Sequence, residues 1–134
     1  MQNQKSAIGL DGNLTALIGY IVGIVALVEI FIEKENRFAK FHAIQSILFH
    51  FGAWILLTVL WVLAIVLWIG GAALGAAIGS AVSVIVGLIA WLVALICLLV
   101  FLGYLGGLIF AAIKSYQGNM FKLPIVGKLA EKWS

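Results

Sequence analysis

The chain has 134 residues, of which 65% are hydrophobic and only 10% are charged, and its formal net charge is +3. Soluble domains carry about 25% charged residues, so this composition excludes an ordinary soluble fold. From Ala43 to Ile113 there is no Asp, Glu, Lys or Arg, and such a stretch requires a lipid bilayer as its solvent. The single cysteine, Cys97, excludes an internal disulfide framework and a zinc site built from cysteines.

The apolar pattern predicts three membrane-spanning helices in one membrane domain. The first covers about residues 13–32, close to the ~20 residues that cross a bilayer core. The second covers about residues 42–69 and the third about residues 81–113. Between them, the small residues of 70–80 suit a tight reversal or a close contact between helices.

The basic residues favour three spans over a four-span alternative with a reversal near residues 103–107. With three spans, all but one of the eight basic residues lie on one side, and Lys5 lies opposite. With four spans, the basic residues of the tail move to the other side, against the positive-inside rule. We therefore expect a multi-pass, all-α protein of the cytoplasmic (inner) membrane, with its N-terminus outside and its C-terminus in the cytoplasm.

Residues 114–134 form a polar to amphipathic tail. A short helix is predicted after Pro124, and Ile125, Leu129 and Trp133 follow one another at i, i+4 and i+8. This spacing indicates an amphipathic helix that lies on the cytoplasmic leaflet. A docking surface for a soluble partner is the alternative.

A polar stripe marks the start of the second span. His42, Gln45, Ser46 and His50 are spaced so that they share one helix face. Polar side chains on a helix in lipid face partner helices or a wet cavity. The stripe therefore predicts either structural hydrogen bonds between helices or a polar conduit that opens to the cytoplasm.

Glu29 lies inside the first predicted span, one helical turn before Glu33. Ionisable residues inside a membrane are functional candidates. The alternative is a carboxylate at the helix end that reaches the interface or pairs with Lys34 or Arg37.

The sequence gives little support to catalysis or to a bound cofactor. His42 and His50 are two turns apart, about 12 Å along a helix, so they cannot share one ion. We find no nucleophile–base pair, phosphate-binding loop or paired catalytic carboxylates. The expectation is a protein that is not an enzyme, with no metal and no cofactor; a histidine-ligated metal or haem is a weaker alternative.

Glycines at four-residue spacing recur along the predicted spans. This spacing allows helix backbones to approach closely, although the partner helix can belong to this chain or to another. The candidate packing positions are Gly19, Gly23, Gly71, Gly75, Gly79, Gly103 and Gly107.

Two segments of the chain resemble a known family. They are Glu33–Ser46, which reads EKENRFAKFHAIQS, and 116–127, with Tyr-Gln-Gly followed by Lys-Leu-Pro-Ile-Val-Gly. Both are similar to signature blocks of small prokaryotic membrane proteins of unknown function. That family is related to the twenty-kilodalton subunit of the chloroplast inner-envelope protein translocon, usually described with four spans. The resemblance makes Arg37, His42, Gln45 and Ser46 the best candidates for a shared role.

We expect a small accessory or scaffold subunit of a larger membrane complex, similar to a translocon subunit. Its partners would be the lipid bilayer and other membrane subunits or further copies of itself, with no nucleic acid. The main alternative is a small homo-oligomeric channel or transport element whose lumen is lined by the polar stripe and Glu29.

Overall fold

The structure is a computed structural model that describes residues 4–134, and its regular elements are helices. Residues 12–32 form two short helices, and two much longer helices follow before a short one near the C-terminus. Lys5 and Asp11 form an isolated β-bridge. The helices are α1 (Gly12–Ile21), α2 (Gly23–Ile32), α3 (Arg37–Ile78), α4 (Ser80–Tyr116) and α5 (Val126–Trp133).

The chain divides into two compact units. The first, unit 1, comprises residues 1–52 together with 105–134, and the second, unit 2, comprises residues 53–104. Unit 1 therefore contains α1, α2 and α5 with the first part of α3 and the last part of α4. Unit 2 contains the remaining parts of α3 and α4.

The first predicted span is not a single helix. α1 ends at Ile21, and α2 starts after Val22, whose backbone leaves the helical region at φ −118° and ψ 84°. A Cβ placed on Gly19 would lie 3.3 Å from Cβ of Ala26, so α2 folds back against α1. Each ten-residue helix is about 15 Å long, half of a ~30 Å bilayer core. Three spanning helices are therefore not confirmed.

The two ends of this helical hairpin lie together. The side-chain amide of Asn36 donates to the carbonyl of Gln4 at 2.7 Å, and the Ala7 N–H donates to the Glu33 carboxylate at 2.6 Å. The chain before α1 is thus in contact with the chain after α2. A single helix over residues 13–32 that carries the chain across the membrane is therefore not observed, and the prediction of an N-terminus outside stays untested.

Within residues 4–134, two helices are long and apolar enough to cross a membrane, α3 and α4. Both extend beyond the predicted spans of 42–69 and 81–113. α4 is continuous through residues 103–107, where the four-span alternative places a reversal.

The reversal in unit 2 is confined to Gly79, which has φ +132°, a conformation open to glycine. The break between α3 and α4 therefore falls within the predicted stretch 70–80, and residues 70–78 are part of α3. Gly71 and Gly75 remain helical and bring α3 close to α4. A Cβ on Gly75 would overlap the side chain of Ser83, and the Ser83 hydroxyl donates to the carbonyl of Gly71 at 3.0 Å.

Unit 1 has an apolar core in two parts. Tyr20 of α1 packs with Ala111, Ala112 and Leu123 in one part. Phe41 and Ile44 of α3 pack with Ala130 of α5 in the other. The tail that follows α4 is therefore folded onto the start of α3.

Candidate functional site

Gln45 lies at the centre of the polar stripe and is fully buried. Its Nε2 donates to Tyr20 Oη at 2.6 Å and to the Phe121 carbonyl at 3.0 Å. Its Oε1 accepts the N–H of Leu123 at 2.9 Å. The two donors and the acceptor of this amide are therefore used within the chain, and they join α1, α3 and the tail.

His42 extends the same network by one turn of α3. Its Nε2 lies 3.1 Å from the carbonyl of Asn119, and its Nδ1 lies 3.1 Å from Tyr20 Oη. A carbonyl only accepts, so Nε2 carries the proton of a neutral ring and Nδ1 accepts from the tyrosine hydroxyl. The donors then run in one direction, from Gln45 to Tyr20, from Tyr20 to His42, and from His42 to Asn119.

Ser46 and His50 continue the stripe toward the break between α1 and α2. The Ser46 hydroxyl donates to the carbonyl of Gly19 at 2.8 Å, one of the last four carbonyls of α1, which have no partner inside their own helix. His50 Nδ1 lies 2.8 Å from the Ser46 carbonyl, one turn earlier in α3. The ring of His50 also faces Gly23, where an added Cβ would be 4.0 Å away.

Glu33 and Asn36 form a second polar group at the start of α3. Glu33 Oε1 accepts the N–H groups of Glu35 and Asn36 at 3.0 and 2.9 Å. Asn36 precedes the helix, and its Oδ1 accepts the Ala39 N–H at 3.1 Å, which is the geometry of an N-cap.

The environment of Glu33 keeps its carboxylate charged. Burial alone would raise its pKa, but the backbone N–H groups of Asn36, Ala7 and Glu35 outweigh that effect and lower it. Glu33 therefore ties the chain before α1 to the first turn of α3.

Glu29 is the exception to this pattern of bonded polar groups. It is 1% exposed, and within the described chain neither carboxylate oxygen has a hydrogen-bond partner of good geometry. The carboxylate of Glu33 and the hydroxyl of Ser6 are its polar neighbours. Among the described residues Glu29 forms no ion pair with Lys34 or Arg37, contrary to one prediction.

Arg37 lies apart from the buried network. It is exposed at the first position of α3, and its charge contributes to the electrostatic environment of Glu131 in α5. The hydrogen bond and charge of Lys122 are the main reasons why the pKa of Glu131 is below its usual value, and Arg37 adds to them.

The seven candidate glycines divide into packed and open positions. Gly19, Gly71, Gly75 and Gly107 each have a neighbour that an added Cβ would crowd, which for Gly107 is the ring of Phe49 at 2.9 Å. Gly23 has looser surroundings. Around Gly79 and Gly103 nothing lies within 4 Å of an added Cβ.

Sequence reasoning missed several partners of the stripe. Tyr20 could have been found, because a tyrosine inside an apolar segment usually has a hydrogen-bond partner for its hydroxyl. The groups that residues 119–123 contribute are main-chain carbonyls and one N–H. Such groups occur throughout any chain, so the sequence does not identify them as partners. The structure thus joins the two signature blocks, since residues 42–45 bind residues 119–123.

This arrangement is suited to holding segments together. Residues 4–134 contain no group of three His, Cys, Asp or Glu side chains that could hold a metal ion. Both ring nitrogens of His42 are engaged by Tyr20 and Asn119. The polar stripe of α3 therefore faces α1 and the tail.

Over residues 4–134 the regular elements are helices, and α3 and α4 are long, apolar and mostly exposed, as expected of a membrane protein. Comparison with known proteins agrees. The chain is 33% identical over 131 residues to a UPF0132 membrane protein of Methanocaldococcus jannaschii, covering 97% of this chain and 94% of the relative. It is 34% identical over 121 residues to a UPF0132 membrane protein of Archaeoglobus fulgidus, covering 90% and 89%.

The chain belongs to the UPF0132 membrane proteins, a small family of unknown function. A second UPF0132 membrane protein of M. jannaschii is 25% identical over 128 residues, covering 95% of this chain and 73% of the relative. No protein-family profile matches the chain. No solved structure matches it either.

Proposed function

We propose that this protein is a small, non-enzymatic scaffold subunit of a larger membrane complex. The observation that carries the proposal is the use of the polar signature residues within the chain itself. Gln45 and His42 are bonded to Tyr20 and to the tail, so these residues serve to fix one conformation of unit 1. A rigid unit attached to membrane helices is what a scaffold requires.

The charge distribution supports a two-span topology with both ends in the cytoplasm. All eight basic residues belong to unit 1, and unit 2, residues 53–104, has no charged residue. Because residues 4–7 contact residues 33–36, Lys5 is on the same side as Lys34 and Arg37. The positive-inside rule then places this charged side in the cytoplasm.

Unit 2 offers the surface for partner helices. Its tryptophans are well exposed, with Trp54 at 65%, Trp61 at 64%, Trp68 at 61% and Trp91 at 61%. In lipid, helices associate through van der Waals packing and interhelical hydrogen bonds. In this proposal, the exposed aromatic side chains of the two long helices are the positions at which helices of other subunits pack.

The resemblance to a translocon subunit suggests a complex that moves or inserts proteins as the host. A homo-oligomeric channel is the weaker alternative, because its lumen needs the polar stripe of α3, and that stripe is bonded to α1 and the tail.

Photo-crosslinking in native membranes tests the scaffold role. A photoreactive phenylalanine analogue is placed at Trp61 or Trp91, with Lys5 in the loop before α1 as the control position. The expected result is a discrete adduct with a different protein, identified by mass spectrometry, from the tryptophan positions only. Adducts of twice the mass of this chain would show a homo-oligomer and contradict the scaffold role. A chain that never crosslinks to protein would refute the proposal.

A further inference from the structure

The exposed face of α5 carries large apolar side chains beside basic ones. The helix is seated on α3 through its small residues: Ala130 is fully buried against Phe41 and Ile44. Gly127 is also buried and lies against Gln45. Val126 packs against the core, whereas Leu129 and Trp133 of α5 and Ile125 just before it are exposed.

These outward residues form one apolar line. Ile125 is 80% exposed, Trp133 is 56% exposed and Leu129 is 39% exposed. A helix that packed in water would bury the large residues and expose the small ones. α5 does the reverse, so its apolar line is covered by something other than the rest of unit 1.

The backbone at the start of α5 reinforces this orientation. Ile125 has φ +67°, a left-handed conformation that is strained for a β-branched residue. The fold holds this conformation although the Ile125 side chain gains no burial from it within the chain.

Beside the apolar line lie two lysines without a carboxylate partner. The ion pairs of the described residues join Lys5 to Asp11 and Lys122 to Glu131. Lys128 and Lys132 are exposed on α5 and lie outside both pairs. Within α5, Lys132 lies three residues after Leu129 and so shares its side of the helix, and Lys128 directly precedes Leu129.

We propose that α5 is a membrane-interface site for acidic lipid headgroups. Ile125, Leu129 and Trp133 enter the acyl boundary of the leaflet, and Lys128 and Lys132 contact the phosphates of anionic lipids. Apolar insertion beside basic residues is the combination by which amphipathic helices bind anionic membranes. The pair of Lys122 with Glu131 neutralises the acidic residue that would otherwise repel these phosphates.

Fluorescence quenching in lipid vesicles tests the site. The reporter protein carries Trp54→Phe, Trp61→Phe, Trp68→Phe and Trp91→Phe, which leaves Trp133 as its only tryptophan. It is reconstituted into brominated phosphatidylcholine alone or mixed equally with brominated phosphatidylglycerol. Circular dichroism and size-exclusion chromatography check that it folds, and the difference spectrum between the parent and Trp133→Phe gives the same signal in the native background.

We expect bromolipid to quench Trp133, with a preference for phosphatidylglycerol over phosphatidylcholine. Lys128→Gln and Lys132→Gln should each reduce that preference roughly fivefold, and added salt should reduce it in the parent. Lys5→Gln, at a lysine paired with Asp11, is the control and should leave it unchanged.

Three results would overturn the proposal. If aqueous iodide quenches Trp133 and bromolipid does not, α5 faces water. If neither quenches it, α5 is covered by protein. If bromolipid quenches it equally with and without phosphatidylglycerol, the site does not recognise acidic headgroups.

Discussion

Gly127 of α5 stands directly over the side chain of Gln45. A Cβ on Gly127 would lie 2.7 Å from Gln45 Oε1 and 2.8 Å from the backbone of Lys122. Two residues from the two signature blocks are therefore in contact at a distance that only glycine permits. This contact explains why a glycine follows the Pro-Ile-Val segment of the tail.

Gly127→Ala should detach the tail from α3. The added methyl group meets backbone atoms of Lys122, which cannot swing away as a flexible side chain would, so the tail must shift and lose its bonds to Gln45. We expect a lower melting temperature in detergent and faster proteolysis after residue 118. Gly106→Ala is the matched control: an added Cβ there has open surroundings within α4, and alanine favours the helix. Equal effects of the two variants would refute this explanation.

Gln45→Leu should cost about 3 kcal/mol of unfolding free energy or more, because it removes three hydrogen bonds and leaves buried groups unpaired. Hydrogen exchange of the Leu123 amide gives a specific measurement, since its N–H donates to Gln45 Oε1. That amide should exchange much faster in the variant. The same substitution at Gln117, which is exposed, is the control. Unchanged protection at Leu123 would contradict the geometry of the network.

Glu33→Gln should destabilise the protein, whereas Glu29→Gln should not. The Glu33 carboxylate accepts three backbone N–H groups, and an amide in its place turns an N–H₂ group toward one of these donors. Glu29 has no such bonds, so its neutral isostere should be tolerated or should stabilise the protein. Equilibrium unfolding of both variants and the parent distinguishes these outcomes.

Acid should weaken the fold through Glu33. The pKa of Glu33 in the folded protein is lower than the usual value of about 4.3. The stability that its carboxylate contributes is therefore complete above the usual pKa and is lost as the pH falls through the folded pKa. Melting temperatures measured from pH 7 downward should fall in this window for the parent. The fall should be smaller for Glu33→Gln, and equal falls in both proteins would assign the acid sensitivity to another group.

Gly75→Ala should disrupt the close approach of α3 and α4 in unit 2, because its Cβ would overlap the Ser83 side chain. We expect lower thermal stability in detergent. Gly70→Ala, on the same helix with nothing within 4 Å of the added Cβ, should leave stability unchanged or raise it. A similar loss in both variants would show that helix content, rather than packing, is responsible.

The sequence predicted the membrane environment of the protein well and the course of its helices less well. The uncharged stretch from Ala43 to Ile113 predicts long apolar helices, and α3 and α4 are such helices. The break at Val22 could not be predicted, because a run of twenty apolar residues has the same composition whether it continues straight or folds back. Its reversal depends on the contact of Gly19 with Ala26, which is tertiary.

The candidate site was only partly predictable for a similar reason. Helical spacing places His42, Gln45 and Ser46 on one face, and the structure keeps them there. Apart from the Tyr20 hydroxyl, their partners between segments are the carbonyls of Gly19, Asn119 and Phe121 and the N–H of Leu123, main-chain groups of a kind found throughout the chain. The polar side chains therefore predict that hydrogen bonds form, but only the fold determines which segment provides the partners.

The bonds between α3 and the tail also impose an order on biosynthesis. Residues 42–45 leave the ribosome well before residues 119–123, and the rest of α3 and all of α4 are made in between. Until the tail arrives, His42 and Gln45 lack the main-chain acceptors that they bind in the finished protein. A nascent chain that stalls after α4 therefore carries two polar side chains without the tail groups that bind them in the finished protein.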